Sequence, residues 1–304
     1  MRNAKLLDYP SLAAVAAVVR TGSFDAAAQA LAVTPSAVSQ RVKGLEERLG
    51  APLIVRGSPC TATEAGMRLC AHFNQVALLE HDLLTDEPGW SGALDAGPPS
   101  LRIALNADSL ATWFPAAAVR FASSGAATLD LILDDEAHTA ERLRTGQVLA
   151  AVTTTGKAIQ GCRTTPLGAL RYRATASAAY CARHFPHRVT PDTLALAPVL
   201  RFDARDALQD RWMTQKFGAP VAAPTHQAPS TQAFLDLTLA GLAWSMTPEP
   251  LAAPLIAQGE LIDLDPAVFV DVPLFWRRPR LSSRLIAALT QAVRDAATQQ
   301  LAPL

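Results

Sequence analysis

Through the first ninety or so residues the apolar positions recur at helical spacing, and from Ser100 onward short β-like apolar runs alternate with helical ones. That change of period divides the chain. In the first part Leu12, Val15, Ala16 and Val19 share one helical face, and Gly22 supplies a C-terminal stop. Ser23 caps a short second helix whose Phe24, Ala27, Ala28 and Leu31 again lie on one side. Thr34 is an N-cap and Pro35 takes the first helical position, where its missing N–H costs nothing, so a third helix starts there and runs to Leu49.

On that third helix Val38, Val42, Leu45 and Leu49 fall within a narrow arc facing the other two helices. The opposite arc holds Ser36, Gln40, Lys43 and Glu47, flanked by Ser39 and Gly44, with Arg41 at the margin of the buried stripe. Taken alone, such a face is a solvated exterior. Two short helices joined by a tight turn form a helix-turn-helix, however, and Pro52 to Gly57 reads as a short wing strand. In that setting a face that is small and polar near the positive helix terminus suits a major groove of double-stranded DNA. Ser36, Ser39, Gln40 and Lys43 are expected to address base edges, Arg41 and Arg56 to hold phosphates, and Thr34 and Pro35 to open the helix at the interface.

Thr63 caps a further helix of more than twenty residues, whose seam of Leu69, Phe73, Val76, Leu79, Leu83 and Leu84 has no obvious partner in its own domain. It reads as a linker and dimerisation helix. Asp86 to Pro99, dense in Pro, Gly and small residues, then reads as a hinge. The expected division is a winged helix-turn-helix over 1–62, a linker helix over 63–87, a hinge over 88–99 and an effector domain over 100–304. Within the last, lobe 1 takes about 100–168 and 270–304, and lobe 2 about 169–269.

The effector part begins with a strand through Leu101, Ile103 and Leu105, a polar turn Asn106 to Ser109, and a helix with Leu110, Trp113, Phe114 and Phe121. A strand at Leu129 to Leu133, a helix through Leu143 and a strand at Val148 to Thr153 repeat the unit, which predicts a parallel sheet with crossover helices. Strands at Arg171 to Ala176, Pro198 to Phe202 and Ala243 to Met246 form a second lobe. Val270 to Trp276 and a helix from Ser282 return to the first, leaving a cleft. Strand ends would bring Asn106, Asp108 and Ser109, Asp134, Asp135 and Glu136, Thr153 and Thr154, Phe202 and Asp203, and Ser230 and Thr231 around it. Acids outnumber bases there. A zwitterion with a cationic tail would find hydroxyls and helix N–H groups for its carboxylate and acids for its positive ends, although Asp108 and Asp135 also sit where helix caps sit.

Composition narrows the reading. The 304 residues, 50% apolar and 18% charged, suffice for two compact domains. Lys plus Arg and Asp plus Glu both total 27, so DNA binding must rest on a local patch, which argues against a broad architectural DNA protein. Cys60, Cys70, Cys162 and Cys181 form no Cys-x-x-Cys pair, which fits a reducing cytoplasm. No apolar run approaches the length of a membrane span and no signal peptide opens the chain, so no membrane partner is expected. Gly-x-Ser-x-Gly, P-loop, His-Glu-x-x-His and Gly-x-Gly-x-x-Gly patterns do not occur, so neither an enzyme nor a cofactor is expected. Cys181, His184 and His187 have a spacing that suggests a metal, but Pro186 breaks the helix that would align them, and no metal is expected.

The order of short helix, Ser23-capped helix, Thr34-Pro35-Ser36-Ala37-Val38-Ser39-Gln40-Arg41, wing, long helix and two-lobed sensor resembles the LysR-type transcriptional regulators over nearly the whole chain. Asn106-Ala107-Asp108-Ser109-Leu110-Ala111-Thr112-Trp113 and Gly259-Glu260-Leu261-Ile262-Asp263-Leu264 are most similar to the ArgP/LysG subgroup, which responds to lysine or arginine. The resemblance implies an N-terminal all-α winged helix-turn-helix with a long linker helix, followed by a C-terminal α/β two-lobed effector domain like the periplasmic binding proteins. It further implies a homodimer or homotetramer, lysine or arginine as effector and control of a basic amino-acid exporter gene; a different small-molecule effector in the same cleft is the alternative, and RNA polymerase is a further partner to expect. Three departures stand out: Ala62 precedes Thr63 where the family often has Pro, Ser58 to Ala62 lack a wing Arg, and the helix at Ser230 opens Pro-Ser-Thr-Gln rather than Asn-Ser-Ser-Glu.

Overall fold

The computed structural model describes residues 7–86, 99–133, 136–281 and 283–304. The expected hinge therefore lies, apart from Pro99, outside the described residues.

Three caps set the winged helix. Asp8 accepts the Ser11 N–H at 2.9 Å to start α1 (Tyr9–Thr21), and Gly22 ends it at φ 75°, a left-handed conformation that favours glycine. Ser23 caps α2 (Phe24–Ala30), and Thr34 caps α3 (Pro35–Leu49). Their core holds Leu12, Val15, Val18, Val38, Val42, Leu45 and Leu53, all fully or almost fully buried. The buried stripe of α1 is wider than expected, since Ala14, Ala17 and Val18 are buried while Ala16 and Val19 are half-buried. The wing is a hairpin: β1 (Ile54–Val55) pairs antiparallel with β2 (Thr61–Ala62), a second strand too short to leave an alternating pattern. Thr63 then caps α4 (Glu64–Asp86), its Oγ1 accepting the Gly66 N–H at 3.1 Å. A Cβ on Gly66 would stand 2.0 Å from the Leu53 carbonyl oxygen, so only glycine lets α4 start this close to the wing.

The seam of α4 is divided between two bodies. Leu69 and Phe73 pack on the winged-helix core, and Leu78 is buried with the effector-domain core. Leu79 and Leu83 remain 43% and 54% exposed.

The effector domain follows as β3 (Ser100–Leu105), α5 (Ala107–Ala111), α6 (Phe114–Ala122), β4 (Thr128–Leu133), α7 (Glu136–Thr145) and β5 (Ala150–Thr153). Next come β6 (Cys162–Ser177), α8 (Ala178–His184), α9 (Pro191–Leu196), β7 (Val199–Arg201), α10 (Leu208–Phe217), β8 (Thr225–Gln227) and α11 (Thr231–Leu239). The chain ends with β9 (Ser245–Pro248), α12 (Glu249–Ala257), β10 (Leu261–Asp263), β11 (Phe269–Pro279) and α13 (Arg284–Gln300).

Among the described residues the main sheet has seven strands in the order β10-β6-β11-β5-β3-β4, with β9 also on β6. It is mixed, not parallel as expected. Parallel pairing is confined there to β3 with β4 and β5, whereas β6 runs antiparallel to β9, β10 and β11. The difference comes from the crossing itself: the 16-residue β6 and 11-residue β11 pair from Cys162↔Pro279 to Arg173↔Phe269 and so run through both lobes. The boundaries expected near 168 and 270 fall inside these strands. The three-residue β8 and β10 were not anticipated, being shorter than any readable period. Trp113, Phe114, Tyr180, Trp212, Trp244 and Trp276 are fully buried, and each such side chain contributes on the order of 1.5–3 kcal/mol. α13 lies across the sheet, with Thr290 Oγ1 accepting the Trp276 Nε1–H at 3.1 Å. No helix among the described residues is long and apolar enough to cross a membrane.

Candidate functional sites: an exposed reading helix and an interlobe pocket

The first site is the free face of α3. Thr34 Oγ1 accepts the Ala37 N–H at 3.2 Å, which fixes the first turn and leaves Pro35 and Ser36 exposed. Gln40 and Lys43 are exposed on the same side, while Ser39 and Arg41 are half-buried. Lys43 Nζ lies 3.7 Å from Glu47 Oε1, a solvent-screened pair that leaves the ammonium available. Glu46 turns the other way: its Oε1 accepts the Leu53 N–H at 2.7 Å and the Ile54 N–H at 3.3 Å, tying the wing to α3. At the wing, the exposed Arg56 guanidinium lies 5.2 Å from the centre of the Phe24 ring, which holds it beside α2. All eight expected DNA-facing residues, Thr34, Pro35, Ser36, Ser39, Gln40, Arg41, Lys43 and Arg56, are thus at least partly solvent-accessible on one domain.

The second site is a cavity of about 520 Å³ between the lobes. Asp108 enters it from α5, Tyr172 from β6, Thr231 from the start of α11, and Asp203, Arg205 and Asp206 from the turn after β7. Phe202, Leu208, Phe234, Leu235, Met246 and Leu251 supply apolar walls. Asp108 is the junction of the two lobes. Its Oδ2 accepts the Tyr172 hydroxyl at 2.6 Å and its Oδ1 the Thr231 hydroxyl at 2.7 Å. Burial pushes its carboxyl above the ordinary aspartate value, the two hydrogen bonds oppose that rise, and the Asp206 charge adds to it. Burial likewise drives the Tyr172 phenol well above its ordinary range, helped by Asp108. Asp203 goes the other way, lowered by the Arg205 backbone N–H at 2.7 Å and the Arg205 guanidinium at 3.1 Å. Three carboxylates and one guanidinium, itself paired with Asp203, make the lining acceptor-rich and suited to a cation.

Residues 10–67 match the family of bacterial regulatory helix-turn-helix proteins of the lysR type, and residues 96–298 match the LysR substrate binding domain. The chain belongs to the LysR family. This LysR-family regulator is 44% identical over 292 residues to the transcriptional regulator LysG of Mycobacterium tuberculosis, covering 96% of this chain and 94% of that one. The crystal structure of ArgP from Mycobacterium tuberculosis is 42% identical, with a TM-score of 0.80 and coverage of 98% of this chain and 100% of that one. Full-length LysG from Corynebacterium glutamicum, solved with bound effector Arg, is 38% identical, with a TM-score of 0.70 and coverage of 98% and 100%. The chain is accordingly a DNA-binding transcriptional regulator of the LysG/ArgP type and not an enzyme.

Within this regulator the expected pocket residues divide. Asp108, Asp203 and Thr231 line the cavity. Asn106 and Ser230 do not; they cap α5 and α11, accepting the Ser109 N–H at 2.9 Å and the Ala233 N–H at 3.3 Å. The expected polar turn is therefore helix from Ala107 onward, and the cap is Asn106 rather than Asp108. Ser109 is fully buried, its hydroxyl accepting the Trp113 indole N–H at 3.1 Å, so it faces the core and not the pocket. Thr153 is also buried, where its Oγ1 accepts the Arg277 Nε–H at 2.9 Å. Asp135 lies outside the described residues. Tyr172, Arg205 and Asp206 escaped the sequence reading. Tyr172 sits in the interior of a strand rather than at its end, and Asp206 looks like an ordinary turn acid, which it also is, accepting the Phe202 N–H at 2.8 Å.

Proposed function

We propose that this regulator senses a small cationic amino acid, lysine or arginine, in the interlobe pocket and converts its binding into altered DNA engagement. The observation that carries this reading is the buried Asp108 carboxylate, bonded across the lobes to Thr231 and facing a cavity with two further acids. An ammonium or guanidinium that recruits Asp108 competes directly with the contact now joining the lobes, so binding shifts their relative population. The arginine in the Corynebacterium glutamicum LysG structure supports the same chemistry. On DNA, Ser36, Ser39, Gln40 and Lys43 read the major groove while Thr34, Pro35, Arg41 and Arg56 meet the backbone. The working form is a cytoplasmic homodimer or homotetramer assembled partly through the exposed Leu79 and Leu83 of α4, acting with RNA polymerase on a basic amino-acid exporter gene.

Footprinting on duplexes that the purified protein selects from random-sequence DNA tests the reading. With 5 mM arginine or lysine, about the millimolar range of weak ligand binding, the wild-type footprint changes and that of Asp108→Asn does not. An unaltered wild-type footprint with both ligands overturns the effector assignment, and unaltered footprints for Gln40→Ala and Lys43→Ala overturn the base-reading one.

A further inference from the structure

The charged groups that line the interlobe cavity differ in what already holds them. Asp206 is spent within its own turn: its Oδ2 accepts the Phe202 N–H at 2.8 Å and the Gln209 Nε2–H at 3.0 Å, and its Oδ1 the Leu208 N–H at 3.1 Å. Asp108 is held by two neutral hydroxyl donors, Tyr172 and Thr231, which a cationic donor outcompetes. Asp203 and Arg205 hold each other. The Asp203 Oδ1 accepts the Arg205 backbone N–H at 2.7 Å, and its Oδ2 meets the Arg205 guanidinium at 3.1 Å. Their side chains are 39% and 66% exposed, and a solvent-screened pair of this kind adds little to stability, so exchanging its partners costs little.

Charge balance gives that pair a task. Arginine and lysine each carry a tail cation, an α-ammonium and an α-carboxylate. An acidic lining attracts the first two and repels the third. Among the described residues that line the cavity, Arg205 alone is cationic, and its forked guanidinium matches a carboxylate bidentately. An amino-acid head arriving at this turn brings both halves of an exchange. Its carboxylate takes the place of Asp203 Oδ2 at the guanidinium, and its ammonium takes the place of the guanidinium at Asp203. Asp203 stays in position throughout, because its Oδ1 remains on the Arg205 backbone N–H. Two ion pairs then stand where one stood, and no charge is left unpaired.

We propose that Arg205 binds the α-carboxylate of the effector and Asp203 its α-ammonium while the tail cation goes to Asp108, so that the pocket selects basic α-amino acids against the amines formed by their decarboxylation. The inference rests on the amino-acid reading of the pocket and adds the group that tells an amino acid from its amine. Agmatine, which is arginine without its carboxylate, keeps both cations. A lining with these acids but without Arg205 favours agmatine over arginine.

Isothermal titration of the full-length protein with arginine, lysine and agmatine, for the wild type and Arg205→Gln, provides the test. The substitution retains the backbone N–H that Asp203 accepts and alters an exposed side chain, so the turn is kept. The wild type binds arginine about tenfold or more tighter than agmatine. Arg205→Gln weakens arginine by about tenfold or more and leaves agmatine unchanged or tighter, which abolishes or reverses the preference. If Arg205 served only to position Asp203, both affinities would change by the same factor, because both ligands carry the ammonium. An arginine-to-agmatine ratio untouched by the substitution, or agmatine bound by the wild type as tightly as arginine, overturns the proposal and leaves the cation-sensing pocket standing. A wild-type protein that binds neither arginine nor lysine overturns the amino-acid reading and this inference with it.

Discussion

In the winged helix the reading helix is held mostly by contacts close in sequence: Thr34 caps it at Ala37, and its Glu46 reaches Leu53 and Ile54 a few residues on. In the effector domain the controlling contacts span the chain, as Asp108 meets Thr231 and Arg171 meets Asp271 a hundred residues away. The contrast matches the two tasks. A surface that reads a groove must be preformed, so it stands on a short-range scaffold. A pocket that reports occupancy must change, so its central bond joins two bodies that can part.

The strongest way to break this comparison is to damage one core and watch the other. Leu45→Ala should cost about 2–5 kcal/mol and Trp276→Ala about 3–5 kcal/mol. Calorimetry should show two thermal transitions, Leu45→Ala lowering only the winged-helix one and Trp276→Ala only the effector-domain one. A single transition lowered equally by both would show that α4 welds the domains into one cooperative unit.

Next in size is Asp108→Asn, which should weaken arginine or lysine binding at least tenfold, about 1.4 kcal/mol. The same change should raise the melting temperature of the ligand-free effector domain at neutral pH. Burial lifts the folded carboxyl above its unfolded value of 3.8, so its contribution is full below that value and is lost as pH rises through the folded one. The gain from Asn should consequently fade on acidification toward pH 3.8, as melting curves across pH would show.

How far these features can be read from sequence follows the same divide. Ser23, Thr34, Pro35 and Gly22 announce their helices because caps act within three or four residues, and the structure places each as expected. The strands were legible where they are long, but their directions were not: Cys162 and Pro279 pair across more than a hundred residues, and no local period encodes that partner. At the pocket, Asp108 and Thr231 were legible because helix starts gather at strand ends. Ser109 was misplaced because a first-turn hydroxyl can face inward, toward the Trp113 indole, as readily as outward. Tyr172 gave no sign, since a buried aromatic in a strand reads as core.

Smaller effects sharpen the picture. Thr34→Ala should lower winged-helix stability by about 1 kcal/mol through the lost cap, measurable by urea denaturation. Smallest is Glu47→Ala: it removes only an exposed partner of Lys43 and should shift stability by less than about 0.5 kcal/mol while leaving arginine affinity untouched.

The most direct measurement is isothermal titration of the full-length protein with arginine and with lysine, beside Asp108→Asn and Ser109→Ala. The account predicts saturable binding to the wild type, at least tenfold weaker binding to Asp108→Asn, and near wild-type affinity for Ser109→Ala, whose hydroxyl is spent on Trp113. Equal affinities for wild type and Asp108→Asn, or no heat with either amino acid, would contradict it.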